Sequence, residues 1–527
     1  MKIHIAQFAG ERPIVAEHLL PENYATKTIN ARPEGGSLIP IKDLVQTPIA
    51  VASDTASWSI YPFDKTKDIT RTDEADFVRG PLANDLWRRV YSTGSELPPQ
   101  LHYMLEGGLM VSTVNLGIKK PLKPTLPPEW ATASPPNPDN QIVRCAYYVT
   151  GVTARGEESE PSETTEIINR WDGATIPVSL GPNNDERVKD RRLYRSEGGG
   201  VFNLVVEVPA AQTGVSDNLF SRGLGAPCTS ESYNEPSQDM RGLTMVGNGF
   251  MAGFFENTLC FSEPYYPHAW PIDYQYAFHD EIVGIAVISG AIVVTTTGSP
   301  WMVMGSHPSS MNPVKLDLRV GNLSRRGMVD MGSFALYPST EGLVMASSSG
   351  MQIVSQDIIS RSQWLSLDPA SFNAFRYRGQ YLCFSSMGAF IFDLKKGIFP
   401  IDITGDPTDK VLSGHYQSDE DTLYLLIEHA DLSKSIFKFD SGNNKELSWT
   451  SREFIMDRKG VISSGRIDGD ESATIKIEGG TYLFEKTTSS DKGFRLPAGR
   501  PLRIKISIKS TGRINTLSLA SSMGELL

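Results

Sequence analysis

Residues 244–261 read TMVGNGFMAGFFENTLCF. Apolar runs of strand length flank Asn248-Gly249, a pair whose members both tolerate positive φ and so favour a tight hairpin. The unit of apolar strand, tight turn and apolar strand recurs as far as Asp440, with Glu256-Asn257, Ser289-Gly290, Glu341-Gly342 and Arg378-Gly379 at matching turns. Its second strands read Leu259-Cys260-Phe261, Ile292-Val293-Val294, Leu343-Val344-Met345, Leu382-Cys383-Phe384 and Leu423-Tyr424-Leu425. Their first residues stand 33, 51, 39 and 41 positions apart. A period near 40 with several short strands per unit predicts a β-propeller, in which each blade buries its faces against its neighbours. A third strand often follows (Trp301–Met304, Met351–Val354, Ala389–Phe392, Ile436–Phe439), giving three or four strands per blade.

The flanking sequence extends this pattern. Residues 48–62 (PIAVASDTASWSIYP) repeat the unit, with strands expected at Ile49–Ala52 and Trp58–Tyr61. Residues 84–93 suit a short helix or a further strand, and Gln100–Val114 reads as a hairpin turning at Gly107-Gly108. Five later units and one or two earlier ones make six or seven blades. A ring closes well when its first and last blades share strands from both chain ends, because this removes the exposed sheet edges; the strands near 49–61 and 100–114 are expected to complete the circle, with the sandwich inserted into it. Seven prolines between Pro121 and Pro138 make residues 119–140 a stiff extended linker. Residues 141–235 carry strand alternation in QIVRCAYYVTGVTARGEESEPS, TIPVSL, RRLYRS and FNLVVEV, the pattern of an inserted immunoglobulin- or fibronectin-like β-sandwich. Beyond Trp449 the period stops, and TIKI (474–477) and LRIKISI (502–508), with turns at Gly479-Gly480 and Gly499, suit a sandwich-like tip domain over 451–527. The expected order is an irregular, extended arm (1–40), first blades (41–118), linker, inserted sandwich, remaining blades (236–450) and C-terminal tip, an all-β chain throughout.

Bulk properties agree with an ordinary globular chain of several domains. The 527 residues are 40% hydrophobic and 21% charged, and Gly and Pro number 46 and 34, above their usual joint share of ~12%. A net charge of −11 argues against gripping nucleic acid through its phosphates, while an acidic wall past which DNA slides is compatible with it. Cys145, Cys228, Cys260 and Cys383 lie far apart without metal-ligand or redox spacing, which predicts free thiols from a reducing compartment. Met1–Gly10 lacks the apolar stretch of a signal peptide. The longest near-apolar run, Ile282–Val294, is too short to span a bilayer and reads as a hairpin.

Catalytic motifs are sparse. There is no Gly-x-Ser-x-Gly elbow, His-Glu-x-x-His, phosphate loop or Cys-x-x-Cys. Gly247–Ala252 fits the loose dinucleotide fingerprint, but that motif needs a following helix and FMAGFFENTLCF continues as strand. Glu263, His268, Asp273, His279 and Asp280 are the densest group of candidate ligands. The prolines among them predict a packed loop, with His268 bonded to backbone rather than to a metal. Asp468-Gly469-Asp470-Glu471 departs from the EF-hand pattern and reads as a solvated turn. Glu157-Glu158 with Glu160 reads as a wet charged face. Glycosidase carboxylates, drawn from distant positions, leave no local pattern. No catalytic, cofactor or metal residue is assigned, and no enzyme activity or cofactor is expected.

Several blocks together resemble the tail nozzle (tail tubular B-like, or tail hub) proteins of short-tailed bacteriophages. They are MAGFFENTLCFSEPYYPHAWPIDY, EIVGIAVISGAIVVTTTGSPWMVMGSHPSSM and RRGMVDMGSFALYPSTEGLVM, with RCAYYVTGVTARGEESEPS and INARPEGGSLIP upstream. The resemblance covers roughly residues 25–450 and marks a structural family with no active site. It implies a virion tail protein assembled in the bacterial cytoplasm, forming a ring, usually a hexamer, below the portal and adaptor proteins. Such a ring encloses the channel for DNA ejection and carries fibres or a tip, with no membrane span. Two other classes compete. A host-surface glycan-binding or depolymerising protein would stack sugars on Tyr265-Tyr266 and Trp270, aromatics that equally suit a wedge between blades or subunits. A cellular propeller hub would be a monomer with a polar top face.

Overall fold

The computed structural model describes residues 2–48, 58–64, 67–105, 111–456, 461–497 and 501–526. The chain is all-β with the four-stranded meanders of a β-propeller; among the described residues the α-helix Arg361–Leu365 is a single short turn. It forms two compact units: Met1–Glu74 with Asp280–Met304 and Pro313–Leu527, and Ala75–His279 with Gly305–Asn312.

In the first unit the blades follow one another in chain order. Strands Ile282–Ile288, Ala291–Thr296, Trp301–Met304 and Asn312–Lys315 make one sheet; Val329–Asp330, Phe334–Pro338, Leu343–Ser347 and Gly350–Ile353 the next. Asn373–Tyr377, Gln380–Ser385, Gly388–Asp393 and Gly397–Ile401 form the third. The fourth contains Lys410–Gln417, Thr422–Glu428 and Lys434–Lys438, and its outer strand is Val45–Gln46 from the N-terminal side. The N-terminal strand that joins this sheet thus lies ahead of the segments 49–61 and 100–114 expected to complete the circle. The first strands of successive sheets lie side by side, so each sheet buries both faces and its middle strands are continuously apolar.

The uneven spacing of the sequence repeat has a structural cause. Ile292, Leu382 and Leu423 lie on second strands, whereas Leu259 and Leu343 lie on third strands. Counted on second strands alone, the starts Met251, Ala291, Phe334, Gln380 and Thr422 stand 40, 43, 46 and 42 apart. Both middle strands of a blade are buried, so apolarity does not tell them apart.

Residues 1–40 are not an irregular arm. Lys2–Ala6, Ala31–Glu34 and Ser37–Pro40 join Ile514–Ala520, Ser464–Gly469 and Phe494–Arg495 in one six-stranded sheet. Ala25–Ile29 joins Leu447–Ser451, Arg503–Ser510, Ala473–Gly479, Tyr482–Thr488 and Phe454–Ile455 in another. Gly35-Gly36, within that expected arm, is the hairpin turn between paired strands (φ 58° and 96°). The C-terminal sandwich is thus built from both ends of the chain. It does not stand apart as a tip, because Ile3, Phe8, Ile475, Ile508 and Leu519 share one core with blade residues Leu382, Ile391, Phe399 and Leu425. Trp449 sits fully buried there, its Nε1 donating to the Ala9 carbonyl at 2.9 Å.

The hairpin Ser59–Asp64/Lys67–Arg71 contains the strand expected near Trp58–Tyr61; the strand expected at Ile49–Ala52 lies outside the described residues, as do the turns at Gly107-Gly108 and Gly499. In the second unit, Ala75–Arg79, Val90–Gly94, Gln100–Met104 and Val111–Asn115 form one blade sheet, so 84–93 ends in strand rather than helix. Arg241–Met245, Met251–Phe255, Thr258–Phe261 and Gln275–Ala277 form its neighbour, and the two share a core of Tyr91, Leu101, Met240, Met251, Cys260 and Trp270. Between them in sequence stands the inserted sandwich, a sheet of Ile168–Arg170, Val143–Thr153, Val188–Glu197 and Asn203–Pro209 facing the pair Ile176–Ser179/Gly214–Asp217. The Pro-rich segment docks on it: Thr125 bridges Ser179, and Leu126 and Trp130 pack on the sandwich core.

Candidate functional site

The most concentrated charge chemistry of the second unit lies where the long strand Val143–Thr153 turns back at the root of the inserted sandwich. Thr153 and Glu157 close the turn through Thr153 N–H to the Glu157 carbonyl at 2.9 Å, with Gly156 at φ 79° between them. This delivers Glu157 and Glu158 into the protein. The wet face expected of Glu157-Glu158 is therefore wrong: both are buried, at 6% and 8% exposure.

Their partners come from far along the chain. Glu157 pairs with Arg155 at 2.9 Å and with Arg89 at 3.3 Å, and Arg89 also holds Asp85 at 2.9 Å. The Arg155 guanidinium lies over the Tyr103 ring, 4.5 Å from its centroid. Glu158 accepts from Thr150 Oγ1 (2.6 Å) and the Tyr194 hydroxyl (2.9 Å) and pairs with Arg192 (2.6 Å). Asn234 donates to Glu160 at 2.6 Å, and the Tyr148 hydroxyl to Glu231 at 3.0 Å. Burial opposes ionisation of Glu157, but Arg155, His268 and Arg89 hold its carboxyl below the usual glutamate range. Asp85 is likewise kept low by its bonds from Arg89 against the cost of burial.

His268 is buried in the loop after Thr258–Phe261 and donates from Nε2 to the Glu158 carbonyl at 3.1 Å, as the packed-loop reading expected. Burial pushes it below the ordinary histidine range. The other members of that sequence group do not join it. Glu263 faces Tyr274, Asp273 lies in the exposed turn Ile272–Tyr274, and Asp280 belongs to the other unit, where it accepts from the Ser299 amide. Among the described residues no three His, Cys, Asp or Glu side chains are grouped to hold a metal. Gly247–Gly249 is a tight turn leading into strand, as the fingerprint's missing helix implied. Asp468 bonds Arg466 and Thr516 rather than converging with Asp470 and Glu471. All four cysteines are free thiols, three of them buried.

The aromatic group divides. Trp270 is buried in the blade core, Nε1 donating to the Pro267 carbonyl at 2.9 Å. Tyr265 and Tyr266 stay half exposed. Tyr265 holds a left-handed φ of 65°, with its N–H on the Gly249 carbonyl at 2.8 Å. Its ring lies on Gly249, where any Cβ would stand 2.6 Å from the ring carbon. Tyr266 leans on Tyr233, 5.3 Å between centroids.

The root is thus a salt-bridged joint. Its charged groups engage one another and fix the inserted sandwich to the sheet behind it. Sequence reading missed Arg89, Tyr103 and Arg192, because their partners at 155–158 lie too far along the chain to leave a local spacing, and with them Asp85, which pairs locally with Arg89. No helix among the described residues is long and apolar enough to cross a membrane.

No protein-family model matches the chain, and no curated protein matches it. Solved structures with similar strand layouts include the RRP9 WD40 repeats, at 10% identity and TM-score 0.29, covering 69% of this chain and 93% of that one. YCF48 from Cyanidioschyzon merolae matches at 11% and 0.23, covering 59% and 78%. PorZ from Porphyromonas gingivalis matches at 9% and 0.29, covering 90% and 70%. At TM-scores below 0.5 these likenesses carry nothing further about this chain.

Proposed function

We propose that this protein is a structural subunit of a short-tailed phage tail nozzle, closing with further copies into a ring, usually sixfold, around the DNA-ejection channel. The reading rests on the sequence blocks that resemble that family, and the buried joint at Glu157 and Glu158 is compatible with it. An inserted module anchored by buried ion pairs suits a part that must keep one orientation under load. The ring would meet the adaptor above and fibres or the distal tip below, passing DNA without sequence-specific contact, and would reside in the virion after assembly in the bacterial cytoplasm. Light scattering and electron microscopy of the purified chain mixed with its adaptor test this. A closed ring is expected; a strict monomer, or absence of the chain from purified particles, overturns it.

A second reading is favoured by the exposed rings of Tyr265 and Tyr266, which suit stacking on a host glycan. Burial of Trp270 removes one of its three aromatics. A glycan array and a polysaccharide-release assay decide it, and silence in both removes it.

A further inference from the structure

Among the described residues the hairpin Ser59–Asp64/Lys67–Arg71 is a sheet of two strands, where the blade sheets have four. It packs on the sheet of Lys410–Gln417, Thr422–Glu428 and Lys434–Lys438. Ile60 enters a small core with Tyr424, Leu426 and Ile436, and the Tyr61 ring lies 4.6 Å from that of His415. Its foot is pinned: Arg325 and Arg326 pair with Glu74, and Arg326 donates to Ser59 Oγ at 3.0 Å.

The far end is held differently. Asp68 stands opposite Pro62 in the hairpin register, which puts it on the Ile60 face, toward Tyr424. Both of its carboxylate oxygens are shut off from solvent and neither has a hydrogen-bond partner. Among the described residues no cation compensates it. Asp64 on the same hairpin repels it, and the Tyr424 hydroxyl is turned to Glu420, to which it donates at 3.0 Å. Lys438 Nζ sits over the Tyr424 ring, 5.4 Å from its centroid. His415, facing Tyr61, is held neutral by burial, its pKa pushed down to about 4. Burial first, and Asp64 second, push the Asp68 carboxyl up to about 7. A buried carboxylate that is neither paired nor solvated is costly, and such a group keeps its proton instead.

We propose that the 59–71 hairpin is a pH-sensitive latch on the 410–438 sheet, docked while Asp68 is protonated and released at its far end when Asp68 ionises. The sign follows from proton linkage. An undocked Asp68 has the ordinary aspartate value near ~4, so the docked state binds the proton more tightly. Docking therefore weakens as pH rises from about 4 to about 7 and levels off above, by at most about tenfold per pH unit for one proton.

Hydrogen exchange on the full chain between pH 5.5 and 8.5, corrected for the intrinsic rate, tests this. The hairpin amides are read against those of Thr422–Glu428 as an internal reference. Relative protection of 59–64 and 67–71 is expected to fall about tenfold or more up to about pH 7 and then to flatten. Asp68→Asn should hold protection level across the range, and Asp64→Asn should move the fall to lower pH. A wild-type profile without the fall, or the same fall in Asp68→Asn, overturns the proposal. If Asp68→Asn fails to fold, the direction of the Asp64→Asn shift decides alone.

Discussion

The inserted sandwich is one continuous stretch of chain, whereas the terminal sandwich interleaves strands from residues 2–40 with strands from 447–520. Both have an apolar core, and the terminal one has its own buried pair, Arg32 with Asp440 at 3.0 Å; they differ in how much buried charge that core surrounds. Inside the inserted one, Arg195 and Asp217, neither exposed, meet at 2.5 Å; the Tyr147 hydroxyl donates to Asp217 at 2.7 Å, and buried Arg170 lies 3.8 Å from Glu197. The terminal one is filled by Ile467, Ile475, Ile506, Ile508, Leu517 and Leu519, continuous with the blade core. Directional pairs add little net stability but are expensive to break singly, and they fix a geometry. Apolar area stabilises without choosing one, so the terminal sandwich relies on strand pairing for its register.

The sharpest way to separate the two is to cut each at its centre. Trp449→Ala removes a fully buried indole, its edge-on contact with Phe8 at 5.1 Å and the bond to Ala9. It should cost about 4–5 kcal/mol in chemical denaturation; a loss under ~1 kcal/mol would mean that the two ends do not share a core. Asp217→Ala takes the fully buried partner from Arg195 and leaves it only Glu197, at 2.9 Å, and the Leu219 carbonyl, for about 2–4 kcal/mol. Here the comparison becomes testable, because Asp217→Leu combined with Arg195→Met should recover most of that loss, while no second substitution of similar kind rescues Trp449→Ala. Gly249→Ala places a Cβ at φ 78° against the Tyr265 ring, with an expected cost of about 1–3 kcal/mol and a displaced tyrosine visible by NMR.

The gentlest probe is acid. His268 lies below the ordinary histidine value near ~6.5, so its contribution to the joint is complete above that pH and is lost as pH falls toward its folded value. Glu157 follows the same sign from a lower start, with its contribution complete above about 4.3. Protection of the Val143–Thr153 amides, corrected for the intrinsic exchange rate, should therefore fall below about pH 6.5 relative to that of Leu447–Ser451. His268→Gln should flatten the upper part of that profile, and an unchanged profile would show that the joint does not sense His268.

The fold was legible in sequence wherever one blade repeats another. The turns at Ser289-Gly290 and Arg378-Gly379 have positive φ at both residues, which their composition predicted. What escaped was non-local. Lys2–Ala6 and Ala25–Ile29 are five-residue strands whose partners lie more than 400 positions away, and five residues give too little alternation to announce a strand. The joint escaped for a related reason. Glu157-Glu158 looks like any solvated charge run until Arg89 and Arg192, 68 and 34 residues distant, are brought to it.

Lys2 pairs with Ala520 and Ala6 with Thr516 on one strand, which also pairs with Ser464–Gly469. A ribosome adding ~5–20 residues per second leaves Ile3 and Ile5 without their sheet for on the order of half a minute or more. Until then the early strands are exposed, sticky edges whose mates do not yet exist. A chain stopped before Ile514 therefore retains its blade repeats but leaves Lys2–Ala6 and Ser464–Gly469 without the strand that lies between them, two open edges in place of one sheet.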